Sequence, residues 1–289
     1  MLFLKDERYQ LIARRFRRNK RAIASSLVII FFAILAMLAP YLAPYDPFKF
    51  SMGEEFAAPS WKHPFGTDEF GRDVLSRVID GTGMSLAFGF LAIALGLVGG
   101  IPIGLVSGYL GRRVDEVVMR LTDAWIAFPE LILALMIAGI LGPSFRNAVL
   151  AVGVVFIPGV ARVVRSAVLA LRELDFVRAA KASGESDLYI MVGEILPNCA
   201  SPILVETTIR LAYAILDGAS LSFLGLGQPP PSTNWGLMVS SGRAYLGTSP
   251  WIALFPGLAI GLLVLSFNLL GDAMRDILDP KVVSFRIGA

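Results

Sequence analysis

Four ionisable residues lie within otherwise apolar stretches of the chain, where an isolated charge is costly. Glu130 directly follows a proline, and Glu206, Arg210 and Asp217 are spaced so that they share one stripe of a helix. A charge inside a membrane span costs roughly 2.5–3.5 kcal/mol on insertion scales, and it therefore pairs or faces water. We interpret Glu206, Arg210 and Asp217 as a polar lining of a translocation path, as a structural Glu206–Arg210 pair, or as residues near the end of the span in contact with lipid headgroups. Glu130 either belongs to such a lining or marks a kink of its span that admits water.

The other residue types exclude most catalytic chemistry. The chain has one histidine, His63, and one cysteine, Cys199, which excludes a disulfide framework and a His/Cys metal cluster. No GxxxxGK[ST] motif occurs, so ATP is not bound through a phosphate loop. Because no nucleophile–base set is found either, we expect no catalytic residues, metal or cofactor in this chain.

The elements that position these residues are apolar helices. Of the 289 residues, 55% are hydrophobic and only 17% charged, a balance that indicates a lipid environment. The chain is predicted to be an all-α, polytopic membrane protein with six transmembrane helices. The six apolar stretches are residues 22–43, 82–111, 124–145, 147–161, 201–224 and 249–271.

Basic residues set the expected orientation. Of the 26 lysines and arginines, 19 fall on the side that holds both termini, six fall on the other side and Arg210 lies within a span. Cytoplasmic loops carry such an excess, so both termini are predicted to be cytoplasmic. The basic excess therefore reflects membrane topology and does not indicate a nucleic-acid partner.

The spans divide the chain into five parts. These are a basic N-terminal segment (1–21), the first transmembrane helix (22–43), an extracytoplasmic segment (44–81), a five-helix core with a cytoplasmic hairpin at 172–198 (82–274), and a cytoplasmic tail (275–289). Within the extracytoplasmic segment, Val74, Leu75, Val78 and Ile79 predict an amphipathic helix, with Arg72, Asp73, Arg77 and Asp80 pointing elsewhere. A second outer stretch, "GLGQPPPSTNWG" at 225–236, predicts an extended polyproline strand.

A glycine repeats every fourth residue in the second span, at Gly96, Gly100, Gly104 and Gly108. Such a face of small residues lets another helix approach closely. We interpret it as an intramolecular packing surface, with a pathway lining as the alternative.

The polar stretch "DFVRAAKASGESDLYIMVGEILPN", at 175–198, predicts a helical hairpin between the fourth and fifth spans. Gly184 is a typical left-handed residue at the end of a first helix. Ser186 is a typical N-cap for a second helix, and Pro197 is predicted to lie just past its end. Two capped helices held beneath a membrane form a docking surface, although interfacial amphipathic helices have a similar composition.

The same run resembles the EAA loop of permeases from binding-protein-dependent ABC importers. The matching positions are Ala179, Ala180, Gly184, Ile195, Leu196, Pro197 and Asn198. The stretches "HPFGTDEFGRDVLSRV", "LSFLGLGQPPPSTNWG" and "LLGDAMRDILDP" extend the likeness to the peptide/nickel branch, C-type subunit. Arg178 replaces the glutamate of the general pattern, Glu194 stands where a histidine is expected, and Glu130 stands where a small or apolar residue is usual.

The resemblance implies an ATP-driven importer in the bacterial inner membrane. It implies a second permease subunit, two ATP-binding subunits that bind ATP and Mg²⁺, and an extracytoplasmic solute-binding protein. The ATP-binding subunits would dock on a set of hairpin residues: Arg178, Ala179, Ala180, Gly184, Glu194, Leu196 and Pro197. The implied substrate is a di- or oligopeptide, with nickel chelates, glutathione and opine- or sugar-derived solutes as alternatives.

An ion-coupled secondary transporter is the alternative from a different class. In that case Glu130, Glu206 and Asp217 would carry protons or ions across the membrane. Such a transporter has no need of the cytoplasmic hairpin.

Overall fold

A computed structural model describes residues 2–278, with side chains from residue 10 onward. Within this part of the chain there are thirteen α-helices and no β-strand. The predicted C-terminal tail falls largely beyond it, since residues 279–289, including Lys281 and Arg286, lie outside the described residues.

The helices are numbered in chain order. Those that precede the hairpin are α1 (Leu2–Arg18), α2 (Lys20–Met37), α3 (Ala39–Leu42), α4 (Val74–Leu110), α5 (Arg112–Ile126), α6 (Glu130–Leu141) and α7 (Phe145–Leu171). Those of the hairpin and beyond are α8 (Asp175–Ala182), α9 (Asp187–Tyr189), α10 (Leu196–Asn198), α11 (Ala200–Phe223), α12 (Trp235–Gly242) and α13 (Trp251–Leu278). A π-helical turn, Ile190–Ile195, joins α9 to α10, and a 3₁₀ turn, Arg243–Tyr245, follows α12.

The described residues contain four helices that are long and apolar enough to cross a membrane: α2, α4, α7 and α13. Two bent helix pairs raise the number to six if each counts as one span. The upper number and the positions agree with the six predicted spans. The protein is therefore an all-α, polytopic membrane protein.

The predicted third span is broken next to Glu130. Helices α5 and α6 meet at 84°, and α6 has only 12 residues, or about 18 Å, which is short of the ~30 Å hydrocarbon core. Pro129 lies at the break, and a proline disfavours helical geometry in the residue before it. The predicted kink at this position is confirmed.

Helices α4 and α7 pack along the predicted glycine face. A Cβ atom added at Gly100 would lie 2.6 Å from Val160 Cβ, and one at Gly104 would lie 2.5 Å from the carbonyl oxygen of Ala161. Gly153 of α7 is equally close to α4, since its added Cβ would lie 2.7 Å from the Leu95 Cβ. The prediction of intramolecular packing is confirmed, because any side chain larger than hydrogen would separate the two helices.

Residues 43–73, which we call the outer segment, lie against the N-terminal end of α4. The predicted amphipathic helix is the start of α4, which at 37 residues is about 55 Å long and exceeds the membrane core. The predicted boundary between the extracytoplasmic segment (44–81) and the five-helix core (82–274) therefore falls inside one continuous helix. Arg77, on this part of α4, was predicted to point away from the packed face, but it is buried. Its guanidinium donates to the carbonyl oxygens of Pro47 (2.8 Å) and Ser232 (2.9 Å).

The proline-rich loop before α12 differs from its prediction. The Pro230–Pro231 peptide bond is cis. The chain turns at these two prolines and does not extend as a polyproline strand. The loop ends at Asn234, whose side chain accepts hydrogen bonds from the first backbone N–H groups of α12. The next residue, Trp235, is buried, and its indole N–H donates to the Val78 carbonyl at 2.9 Å.

Candidate coupling hairpin and intramembrane charges

The hairpin, residues 172–198, bends at the glycine that the sequence indicated. Gly184 has a φ of +80°, its N–H donates to the Lys181 carbonyl (3.1 Å), and the Glu185 N–H donates to the Ala180 carbonyl (3.2 Å). These two bonds form a Schellman motif that ends α8. The Ser186 hydroxyl then accepts from the Tyr189 N–H at 3.3 Å and caps α9, so the predicted bend and N-cap are both present.

Pro197 does not follow the end of the second helix, as predicted, but lies inside helical structure. The helical path continues from α9 through the π turn into α10, where Pro197 occupies one of the first two positions. A proline is tolerated in a first turn, because the N–H that it lacks would have no partner in the helix there. The sequence gives no clear signal for the π turn that produces this arrangement.

Buried apolar residues and a polar contact fix the hairpin to the spans. Val177, Ile190 and Ile195 are fully buried. The Tyr109 hydroxyl at the end of α4 donates to the Asp187 carboxylate at 2.6 Å. The hairpin also continues directly from α7. A force on the hairpin would therefore reach both α4 and α7, the two helices that pack along the glycine face.

The opposite surface of the hairpin is exposed. Every residue from 181 to 189 is exposed, and Leu188 leaves 68% of its surface uncovered. Of the predicted docking residues, four are exposed: Arg178, Ala179, Gly184 and Pro197. Three are half-buried: Ala180, Glu194 and Leu196. The two adjacent alanines therefore differ, since Ala179 is exposed and Ala180 packs partly against the core.

Three of the four intramembrane charges meet at one point. The Arg210 Nε donates to the Glu206 carboxylate at 2.5 Å, one turn away on α11, and its Nη1 lies 3.5 Å from the Glu130 carboxylate at the start of α6. The predicted Glu206–Arg210 pair is therefore present, and it is joined by Glu130 from another helix. Asp217 has no hydrogen bond or ion pair within the described residues, although it interacts electrostatically with Glu130 and Arg210.

Two residues that position Arg210 were missed by the sequence analysis. The Arg210 guanidinium lies 5.0 Å from the centre of the Phe156 ring. A Cβ added at Gly159 would lie 1.9 Å from the Arg210 Nη2, so α7 has room for the guanidinium only because residue 159 is glycine. Both are contacts between distant parts of the chain, and one glycine next to Pro158 in an apolar span does not reveal its partner.

Two further ion pairs link α5 to α7. Arg165 bonds both carboxylate oxygens of Asp115, at 2.5 and 2.6 Å, and Arg162 bonds Asp123 at 2.5 Å. The Ser107 hydroxyl of α4 also donates to Asp115 at 2.5 Å. In the sequence, these arginines indicate only the orientation of the chain, as part of its basic excess. Their partners lie about forty to fifty residues away along the chain, and no local pattern identifies them.

Solved structures share this fold. The MetNI methionine ABC transporter in an inward-facing conformation aligns with a TM-score of 0.59 and 20% identity, over 71% of this chain and 98% of that chain. An amino acid ABC transporter aligns with a TM-score of 0.53 and 19% identity, over 71% of this chain and 95% of that chain. The fold is thus that of an ABC importer permease.

Sequence comparison gives the family. Residues 100–284 match the binding-protein-dependent transport system inner membrane component, and residues 8–59 match the N-terminal transmembrane domain of oligopeptide transport permease C. The chain belongs to the family of binding-protein-dependent transport system inner membrane components. It is therefore a multi-pass inner-membrane permease subunit, and separate subunits hydrolyse ATP.

Several relatives match over almost their whole length. A dipeptide transport system permease protein of Alkalihalophilus pseudofirmus is 42% identical, over 94% of this chain and 89% of the relative. One of Haemophilus influenzae is 40% identical, over 92% of both chains. A glutathione transport system permease protein of Escherichia coli O6:K15:H31 is 42% identical, over 93% of this chain and 89% of the relative.

Family membership decides between the two classes of transporter. Importers of this family generally combine two permease subunits with ATP-binding subunits and a binding protein. The ion-coupled secondary transporter considered above belongs to a different class and is not supported.

Proposed function

We propose that this permease moves short peptides across the inner membrane together with a second permease subunit. The observation that carries the proposal is the agreement among relatives 40–42% identical, which are described as dipeptide and glutathione permeases. Because glutathione is itself a tripeptide, both descriptions indicate a short peptide. None of these three relatives is described as moving nickel chelates or opine- or sugar-derived solutes.

We further propose that the ATP-binding subunits, which bind ATP and Mg²⁺, dock on the hairpin. The exposed residues Arg178, Ala179, Gly184 and Pro197 would touch that subunit, and the half-buried Ala180, Glu194 and Leu196 would support them. Rigid attachment supports this role, since movement of a firmly anchored hairpin tilts the spans instead of bending a loop. An extracytoplasmic binding protein would deliver the substrate to the other side.

The intramembrane charges are proposed to line the peptide path. Glu130 leaves 45% of its side chain exposed, so the cluster reaches a surface that the described residues leave open. A peptide carries an ammonium and a carboxylate, and this cluster offers groups of both signs in Glu130, Glu206, Arg210 and Asp217. Intramembrane ionisable groups of this kind commonly mark a substrate pathway.

Uptake by the reconstituted importer tests the substrate. Proteoliposomes that hold both permease subunits and the ATP-binding subunits would receive the cognate binding protein and a labelled dipeptide. We expect ATP-dependent uptake that unlabelled dipeptide inhibits and a nickel–histidine chelate does not. Inhibition by the chelate alone, or uptake driven by a proton gradient without ATP, would contradict the proposal. Mass spectrometry of the solutes retained by the binding protein identifies the peptide independently.

Substitution of Arg210 tests the path. Arg210→Ala leaves Glu206 and Glu130 without their cation, and we expect dipeptide uptake to fall while the complex still assembles. Arg210→Lys is the matched control, because it keeps the charge but not the forked guanidinium. Partial uptake by the lysine variant supports a path role. Loss of assembly in the alanine variant would instead assign the cluster to structure.

A further inference from the structure

A polar cavity of about 300 Å³ lies between the end of α4, the start of α5 and the hairpin. Four of its lining residues are basic, and one is acidic. The full lining is Tyr109, Leu110, Gly111, Arg112, Arg172, Glu173, Arg178 and Lys181. Cations gathered around one space repel each other, and an anion bound among them would offset that repulsion.

The chain neutralises these cations only in part. Arg172 donates to the Gly108 carbonyl (2.8 Å) and to Glu173 (3.2 Å), and Arg178 lies 3.7 Å from the same Glu173. Arg112 has no side-chain hydrogen bond or ion pair among the described residues, and the Lys181 ammonium lies 4.7 Å from the centre of the Tyr109 ring without a carboxylate partner. Two cations at this cavity are thus available to a ligand.

An unusual turn places Arg112 beside the cavity. Gly111 and Arg112 both have positive φ values, +64° and +49°. This conformation costs a residue with a Cβ atom roughly 1–2 kcal/mol. A Cβ added at Gly111 would lie 2.8 Å from the Arg172 Nη1, so the guanidinium packs directly on the glycine. The turn reverses the chain at the end of α4 and directs α5 away from it.

The position of the cavity, at the ends of two candidate spans, indicates the source of the anion. Leu110 ends α4 and Arg172 directly follows α7, so the cavity lies where two of the candidate spans end. On the adjoining α5, Val114, Val117 and Leu121 are exposed apolar side chains at helical spacing. Basic pockets at this level bind phosphate-bearing headgroups, and an apolar face beside one suits acyl chains.

We propose that this cavity binds the phosphate group of an anionic phospholipid such as phosphatidylglycerol. Arg112 and Lys181 would contact the phosphate, while Arg172 maintains the shape of the site. An acidic group of an ATP-binding subunit is the competing occupant. Of the four exposed residues proposed to touch that subunit, Arg178 lines the cavity but Ala179, Gly184 and Pro197 do not, which favours lipid.

Lipid retention by the purified importer complex tests the proposal. The complex, in nanodiscs of phosphatidylcholine with and without phosphatidylglycerol, would be analysed by native mass spectrometry after release. We expect Arg112→Gln to weaken phosphatidylglycerol retention by about tenfold, as loss of a charge-assisted hydrogen bond implies. Arg113→Gln is the matched control, because Arg113 is also exposed and adjacent but does not line the cavity.

The other outcomes are distinct. Equal losses in both variants would show general surface attraction and overturn the site. Displacement of the lipid by inorganic phosphate or glycerol phosphate, at concentrations that leave ionic strength unchanged, would assign the site to a soluble phosphate compound instead. Loss of the ATP-binding subunits from Arg112→Gln with lipid retention unchanged would show that the cavity belongs to their docking surface.

Discussion

Charged residues are buried around the outer segment but exposed in the hairpin. Around the outer segment, Asp68, Arg72, Asp73 and Arg77 are each at most 6% exposed, and they bond to each other, to backbone groups and to His63. In the hairpin, the charged residues between 181 and 189 are all exposed. The first region therefore uses its charges to hold itself together. The second uses Asp187 to bond Tyr109 of α4 and leaves Lys181 and Glu185 without an ion pair among the described residues.

The largest effect is expected when the outer network loses its central cation. Arg77→Ala removes the guanidinium that lies 3.6 Å from Asp68 and donates to Pro47 and Ser232. Breaking a buried charge pair costs about 3–5 kcal/mol, so we expect a lower unfolding temperature and less protein in the membrane. Thermal unfolding followed by fluorescence checks this.

Arg146→Ala serves as the control for that experiment. Arg146 is exposed and has no side-chain partner among the described residues, although it lies on the same predicted side of the membrane. An equal loss of stability in both variants would contradict a structural role for the outer network.

A change in the hairpin should affect coupling more than stability. Gly184→Val forces a branched side chain into a left-handed conformation, at a cost of roughly 1–2 kcal/mol that distorts the bend. We expect dipeptide uptake to fall by about tenfold or more, because a ~1.4 kcal/mol loss of productive docking is already tenfold. ATP hydrolysis and membrane insertion should persist.

Gly184→Asn is the matched control for the bend, since asparagine tolerates left-handed geometry better than other residues with a side chain. We expect it to retain most of the uptake. Normal uptake by Gly184→Val, or equal damage from both substitutions, would contradict the assigned role of the bend.

The smallest effect is expected for an exposed charge pair in the outer segment. Lys62 bonds Glu54 at the surface, and this hydrogen bond lowers the pKa of the Glu54 carboxylate. A lowered pKa stabilises the fold above the ordinary carboxylate pKa, and that contribution is lost as the pH falls through the lowered value. Exposed pairs contribute little, so Lys62→Ala should leave the unfolding temperature at neutral pH nearly unchanged. A loss as large as that of Arg77→Ala would erase the distinction between buried and exposed charges.

Local signals allowed much of the hairpin and the spans to be predicted. Gly184 and Ser186 act through their own backbone and the next few residues, so their caps can be read from sequence. The lengths of the apolar stretches likewise allowed the spans to be located. The glycine face of α4 was recognised because its repeat of four matches the helix surface.

Contacts between distant residues could not be predicted in the same way. Whether Arg77 faced solvent or two carbonyl groups depended on Pro47 and Ser232, which lie 30 and 155 residues away. The space that Gly159 leaves for Arg210 likewise depends on how α7 meets α11. Helix packing decides these cases, and the composition of one segment does not encode it.

Site-specific photo-crosslinking tests most directly whether the hairpin, and not the outer segment, meets the ATP-binding subunits. A photoreactive phenylalanine analogue would replace Leu188 in the hairpin or Trp61 in the outer segment, both exposed aromatic or apolar residues. In the intact importer, position 188 is predicted to crosslink to an ATP-binding subunit, and position 61 only to the binding protein or to lipid. Crosslinking of an ATP-binding subunit from position 61, with none from position 188, would contradict the account.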